Sequence, residues 1–226
     1  MRASLPVAAS TIPAPLSEAA RRANRLGVLG GSFDPPHLGH LHAARRAREA
    51  FALDHVVFVP AARPPHKPGR VLAGERERLA MLALLLEGEP DTSVWDEELA
   101  RRGPSYTVDT LRTLRALVPT PAALFLILGE DNLPDFPRWR AAEEIVVLAQ
   151  PIVVHRSGAD PVADAAPVGL SSIARTRLAL GRLACPPLDV SSSELREELA
   201  RGAEAPERLP PKLLEYVRAR GLYRRA

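Results

Sequence analysis

Residues 29–43 read "LGGSFDPPHLGHLHA" and follow directly on the apolar stretch Leu26–Val28. The composition suits neither a strand nor a plain amphipathic helix. It predicts a strand that ends, a tight turn, and a helix that begins with imidazoles crowded at its start. Gly30 and Gly31 permit positive φ and the close passage of a bulky ligand. Pro35 and Pro36 suit a helix start, where a missing N–H costs nothing. His37 and His40 stand three residues apart and so share one helix face. Unpaired N–H groups and the helix dipole at such a start attract an anion, and imidazole beside phosphate gains positive character. The stretch reads as a polyphosphate seat. A zinc site on His37, His40 and His42 is the alternative. No Cys, Glu or further His lies nearby at ligand spacing, and zinc would leave the turn chemistry unexplained. No dedicated metal ligands are assigned.

Outward from this stretch, short apolar runs alternate with helical patterns. Strands are predicted at "RLGVLGG", "HVVFVPA", "TSVWDEE", "ALFLILGED" and "PIVVHR", with a short extended piece at "LACPPLDV". Helices are predicted at "HLGHLHAARRAREAF", "GERERLAMLALLLEG", "SYTVDTLRTLRALVP", the start of "RAAEEIVVLAQ", "SSSELREELARG" and "PPKLLEYVRARGLY". Strands separated by single helices imply βαβ units. The expected fold is therefore α/β: a Rossmann-like, doubly wound parallel sheet with flanking helices and a C-terminal helical segment. The strands lack clean alternation, as expected where helices cover both faces. Ligands in such sheets bind at the carboxyl ends of strands, near the topological switch point. The segments after the strands are "GGSFDPPHLGH", "PAARPPHK", "GEDNLPDFPRW" and "DVSSSELR", all polar, cationic or rich in Gly and Pro. They are expected to form one site. The stretch from Arg156 to Pro167 reads as a surface loop.

The chain has 226 residues, 46% of them hydrophobic but only 4% aromatic, so the core is built mostly of Leu, Val and Ala. Residues 1–24, rich in Ala, Pro and Ser, read as a disordered extension, with a short helix around Leu16 to Ala23 as the alternative. Residues 25–226 read as a single domain. Pro6 and Pro13 interrupt what a signal peptide would need as an apolar core. One cysteine, Cys185, excludes an internal disulfide and suits a reducing cytoplasm. Net charge is only +3, and the basic residues are interleaved with Glu. That pattern gives solvated helix faces rather than a nucleic-acid surface, and no stretch is long enough to span a membrane. Neither nucleic acid nor membrane is an expected partner; a homo-oligomer is left open.

The motifs go further than generic physics. "GGSFDPPHLGH" resembles the signature of the HxGH nucleotidyltransferase superfamily. "VPAARPPHK", "RRGPSYTVDTL", "LILGEDNLPDFPRW", "VSSSELR" and "LLEYVRARGLY" follow in the order seen in bacterial nicotinate-nucleotide adenylyltransferases. The resemblance covers roughly Leu26 to Tyr223. It implies adenylyl transfer from ATP to nicotinate mononucleotide, giving nicotinate adenine dinucleotide, a precursor of NAD, and pyrophosphate, with Mg²⁺ carried by ATP. Related alternatives are an enzyme preferring nicotinamide mononucleotide, a phosphopantetheine adenylyltransferase, a cytidylyltransferase, and a nucleotide-binding module without turnover.

By this resemblance His37, His40, Lys67 and Arg196 form the catalytic set. Gly30, Gly31, Ser32, Phe33, Gly129, Asp131, Ser192 and Ser193 join them or wall the bound ATP. Lys67, Tyr106, Thr107, Asp109 and Trp139 hold the mononucleotide. Tyr106 and Thr107 would offer backbone N–H groups to the nicotinate carboxylate, and Trp139 would stack on the pyridine ring. Asp34 orients the first loop or a metal-bound water. Structural alternatives stand beside several of these: an N-cap by Ser105 or Thr107, a capping box at Ser191 and Glu194, and core packing for Trp139. The chain departs from the family at Arg63, where Asn is common, at Ser193, where Thr is common, and at Glu130, where a small residue is usual.

Overall fold

The computed structural model describes residues 15–63, 73–101, 103–155, 169–186, 188, 190–202 and 208–224. Six strands, β1 (Arg25–Gly31), β2 (His55–Pro60), β3 (Thr92–Val94), β4 (Ala123–Gly129), β5 (Gln150–His155) and β6 (Arg182–Ala184), form one sheet. Their order is β3-β2-β1-β4-β5-β6 and every pairing is parallel. The sequence expectation of a doubly wound Rossmann-like sheet therefore holds, with the switch in strand order between β1 and β4.

The uninterrupted apolar strands have a simple cause. Successive residues of β4 point to opposite faces, and both faces are covered. Leu124, Leu126 and Leu128 join one core, and Phe125 and Ile127 the other. The first core is filled by α5 (Thr107–Leu117), α6 (Ala142–Leu148) and α7 (Ser172–Leu180); α2 (Leu38–Ala50) contributes Ala44 and Ala47 to the second. A third cluster packs α3 (Glu75–Leu85), α8 (Ser192–Ala200) and α9 (Pro211–Ala219) around Leu41, Met81 and Leu195. No helix among the described residues is long and apolar enough to cross a membrane.

Four sequence expectations are corrected. Residues 18–22 form helix α1 (Glu18–Arg22), with Leu16, Ala20 and Ala23 buried in the first core. The extension read through residue 24 therefore includes a packed segment, and the short-helix alternative is the one realised; residues 1–14 lie outside the described residues. The strand at "TSVWDEE" stops at Val94, and Glu97–Ala100 forms a short helix, α4. Helix α7 occupies a stretch, Ser172–Leu180, for which the sequence carried no helix prediction. Pro35 and Pro36 precede the cap residue His37 rather than opening the helix. The loop read from Arg156 to Pro167 lies outside the described residues.

A buried polar clamp holds the turn between β1 and α2. Asp34 is fully buried and accepts from the Ala73 N–H (3.1 Å) and the Tyr223 hydroxyl (2.7 Å). Arg196 donates to the Asp34 carbonyl at 2.7 Å and lies 3.9 Å from its carboxylate. Arg78, also buried, donates to the carbonyls of Ser32 (2.9 Å), Ala61 (2.7 Å) and Ala73 (3.2 Å). Charged groups tolerate such burial only when paired and hydrogen-bonded. Burial, reinforced by Asp34, holds the Tyr223 hydroxyl far above the usual phenol range and hence in its donor form.

Leu16→Ala should lower the unfolding free energy by about 2 kcal/mol or more, the usual cost of truncating a buried leucine. Urea denaturation measures it, and an unchanged midpoint would show that the segment adds nothing to the core. Tyr223→Phe removes one donor from a buried carboxylate and should cost about 1–3 kcal/mol by the same method.

Candidate active site

At the carboxyl ends of β1 and β4 lies a cavity of about 400 Å³. This is the switch point, where two neighbouring strands send their chains to opposite faces and leave a crevice. Gly30, Gly31 and Ser32 border it after β1, His37 and His40 at the start of α2, and Thr107 at the start of α5. Gly129 and Asp131 border it after β4, with Trp139, Ser192 and Ser193 on the remaining walls. Segments far apart in sequence thus converge, as their shared position after strands predicts.

The histidine pair is tightly built. The two rings lie 3.8 Å apart at 32°. The His37 N–H donates to His40 Nδ1 at 3.2 Å, so a neutral His40 ring carries its proton on Nε2, the form able to donate to a ligand. Phe33 does not border the cavity. Its buried ring meets His40 edge-on at 5.0 Å and supports it from below. The positive φ expected of Gly30 or Gly31 falls on Phe33 instead (48°). Gly30 serves another purpose: a Cβ there would meet nothing within 4 Å, so that stretch of strand end is open to a ligand. Between the histidines, a Cβ on Gly39 would come within 2.7 Å of Val190. Only glycine lets α2 approach the segment leading into α8.

Two further helix starts face the cavity. Ser191 caps α8 in a reciprocal pair with Glu194, each bond 3.2 Å, as the sequence indicates. Ser192 Oγ donates to the Pro35 carbonyl at 3.0 Å and Arg196 Nη2 donates to Ser193 Oγ at 3.0 Å, tying α8 to the first loop. At α5 neither Ser105 nor Thr107 is the N-cap. That position belongs to Tyr106 and carries no side-chain cap bond. Ser105 Oγ turns away to accept from the N–H groups of Ala62 (2.9 Å) and Arg63 (3.3 Å). The first N–H groups of α5 thus lack a side-chain acceptor.

Other predicted residues sit off the cavity wall. Tyr106 stacks under the Arg140 guanidinium at 4.7 Å. Asp109 pairs with Arg112 at 3.0 Å, which also pairs with Glu144. Arg196 acts on the Asp34 loop and on Ser193. Lys67 lies outside the described residues. Arg63 has an exposed side chain, while its backbone docks Ser105 (Ser105 N–H to Arg63 carbonyl, 3.1 Å). Trp139 borders the cavity and also packs on Phe136 at 5.2 Å, so both readings of it hold. Glu130, whose charge the sequence leaves unassigned, reaches His155 Nδ1 at 2.8 Å across the ends of β4 and β5.

Sequence reasoning missed Glu98. It is 7% exposed, borders the cavity, and accepts from Thr110 Oγ1 at 2.5 Å. Burial raises its pKa, opposed by the hydroxyls of Thr110 and Ser105 and by Arg101. In the sequence it sits in the charged run "WDEELARR", which reads as a solvated face. Among the described residues no cluster of three or more His, Cys, Asp or Glu is placed to hold a metal ion.

Comparison with known proteins gives the family and agrees with the fold. The sequence profile of the cytidylyltransferase-like family matches residues 28–198. A Dehalococcoides mccartyi protein named "Probable nicotinate-nucleotide adenylyltransferase" is 38% identical over 202 residues, 89% of this chain and 98% of its own. A Bordetella petrii protein of the same name is 43% identical, covering 88% of this chain and 99% of its own. The Plasmodium falciparum nicotinic acid mononucleotide adenylyltransferase, solved as complexes with APC and with NaAD, superposes with TM-scores of 0.66 and 0.63. Identity there is 18%, over 88% of this chain and 96% and 97% of the respective solved chains, which speaks for the fold. With a family profile over most of its length and relatives at this identity, the chain belongs to the nicotinate-nucleotide adenylyltransferases of the cytidylyltransferase-like family.

Proposed function

We propose that this protein transfers the adenylyl group of ATP to nicotinate mononucleotide. The observation that carries the reading is the convergence of two kinds of anion seat on one cavity. His37, His40, Ser192 and Ser193 stand on one side, and the uncapped start of α5 with Trp139 on the other. In the reaction a phosphate oxygen of the mononucleotide attacks the α-phosphorus of ATP. The new O–P bond forms as the bond from the α-phosphorus to the bridging oxygen breaks, and pyrophosphate leaves with that electron pair. The attacking oxygen is already anionic near neutral pH, so no general base is required. Catalysis then rests on alignment and on fixed dipoles aimed at the charge of the transferring and leaving groups.

Each element has a part in this. His40 Nε2–H and the first N–H groups of α8 neutralise phosphate charge. Arg196 acts from behind, holding the Asp34 loop and Ser193 in register. Asp131, after β4, accepts from ribose hydroxyls. The N–H groups at the start of α5 take the nicotinate carboxylate, and Trp139 covers the pyridine ring. Lys67, which follows β2 in the sequence and lies outside the described residues, is assigned to the phosphates by the motif resemblance alone. ATP enters as its Mg²⁺ complex. The ion would be carried by phosphate and water, where it would offset phosphate charge; the Asp34 carboxylate is already engaged by Ala73, Tyr223 and Arg196. Both substrates are small and soluble, so the reaction needs neither nucleic acid nor membrane and suits the cytoplasm.

Pyrophosphate release with MgATP and each mononucleotide in turn tests the assignment. Clear preference for nicotinate mononucleotide is expected. Equal or better use of the nicotinamide form would overturn the acceptor, and no release with any acceptor would leave a binding module. For His40→Ala the expected loss in kcat is on the order of 10²-fold with an unchanged far-UV spectrum, the size typical of a lost transition-state donor. An unfolded variant would instead give His40 a purely structural role.

A further inference from the structure

Glu98 contributes no charge that the proposed reaction uses, yet it sits in the wall of a cavity built for anions. A carboxylate there is unfavourable unless hydrogen bonds offset its burial. The bonds that do so have a definite direction. A serine or threonine hydroxyl has one proton to give and two lone pairs to receive. Ser105 Oγ already receives from the N–H groups of Ala62 and Arg63, so its single proton is available to the Glu98 carboxylate, whose charged form the Ser105 hydroxyl favours. Thr110 repeats the pattern. Its hydroxyl receives from Arg101 Nη2 at 3.2 Å and donates to Glu98 Oε1 at 2.5 Å.

The carboxylate thus accepts from Thr110 and is open to the proton of Ser105, one hydroxyl on either side of the α5 start. Through Ser105 it also reaches the loop after β2, since the Ser105 N–H closes back on the Arg63 carbonyl. Remove the acceptor and both hydroxyls lose the direction that locks them. The backbone from Ser105 to Thr107 would then be held only by its bonds to the loop after β2, and the N–H groups that would meet the acceptor's carboxylate would be less firmly aimed.

We infer that Glu98 is a positioning residue for the mononucleotide half of the site, orienting Ser105 and Thr110 so that the first N–H groups of α5 stay aimed into the cavity. The inference rests on the acceptor assignment made above. It gives the two halves of the cavity separate supports: Glu98 behind α5, and the Asp34, Arg78 and Arg196 clamp behind the phosphate side.

Steady-state kinetics of wild type, Glu98→Ala and Glu98→Gln, varying each substrate separately, test it. Glu98→Ala should raise KM for the mononucleotide by about tenfold or more while KM for ATP stays within about twofold, a split that general loosening of the fold would not produce. Glu98→Gln keeps an oxygen that accepts from both hydroxyls and should stay within about threefold of wild type. If Glu98→Ala does not fold, Thr110→Val removes one of the two donors and should raise the mononucleotide KM alone. Equal rises in both KM values, or no change in either, would overturn the inference while leaving the functional reading intact. A wild type that releases no pyrophosphate with any mononucleotide would overturn both.

Discussion

Parallel strands impose the constraint on which everything else depends. When every strand of a sheet runs the same way, every helix that follows a strand starts at the same edge. Helix starts carry unpaired N–H groups and the positive end of the dipole, so one edge of the sheet accumulates anion-binding groups by topology alone. The order β3-β2-β1-β4-β5-β6 then opens a crevice between β1 and β4, and the starts of α2, α5 and α8 gather around it. Little extra positive charge is needed. Among the described residues the cavity wall has no Lys or Arg, and the groups there that can face an anion are imidazole N–H donors and the N–H groups of helix starts.

This explains which features could be read from the sequence. Apolar runs such as "ALFLILG" lie between two covered faces, and helical spacing such as Leu111 and Leu114 lies over them; both are local patterns with one physical solution. The glycine and histidine pattern of residues 30–40 was readable because its residue types are costly anywhere else. Gly39 permits contact with Val190, and the two imidazoles stack. What stayed illegible depends on distant partners. Glu98 looks like any surface acid until Thr110 and Ser105 fold over it. Glu130 needed His155 from the next strand, and the support that the Phe33 ring gives His40 could not be read from the sequence. Helix α7 was missed, and the Leu16 segment was read as a helix only in second place, for a similar reason: neither holds together by propensity alone, and burial against the sheet decides both.

The three structural cysteine-free ways of fixing a loop seen here differ in kind. Gly39 fixes α2 by steric closeness, Ser192 fixes α8 by a hydrogen bond to the Pro35 carbonyl, and Arg78 fixes three carbonyls with one guanidinium. Arginine suits the last task because its planar fork presents several donors in a fixed geometry. Its carbonyl partners at Ser32 and Ala61 follow β1 and β2, so a single side chain sets the spacing of the two loops that border the phosphate side.

That spacing matters because fixed dipoles stabilise charge only if they need not reorganise when the charge appears. A lysine on a flexible stem can follow its ligand; a backbone N–H cannot. A site that relies on N–H groups and two stacked imidazoles must therefore be held by something stiffer than surface contacts. The buried polar groups behind it, Asp34 with Tyr223 and Arg196 on one side and Glu98 with its two hydroxyls on the other, meet that need at the cost of desolvating charge. Their energetic burden fits the catalysis proposed for the cavity: rigidity at a bound phosphate would have to be supplied from beneath it, by buried groups with fixed partners.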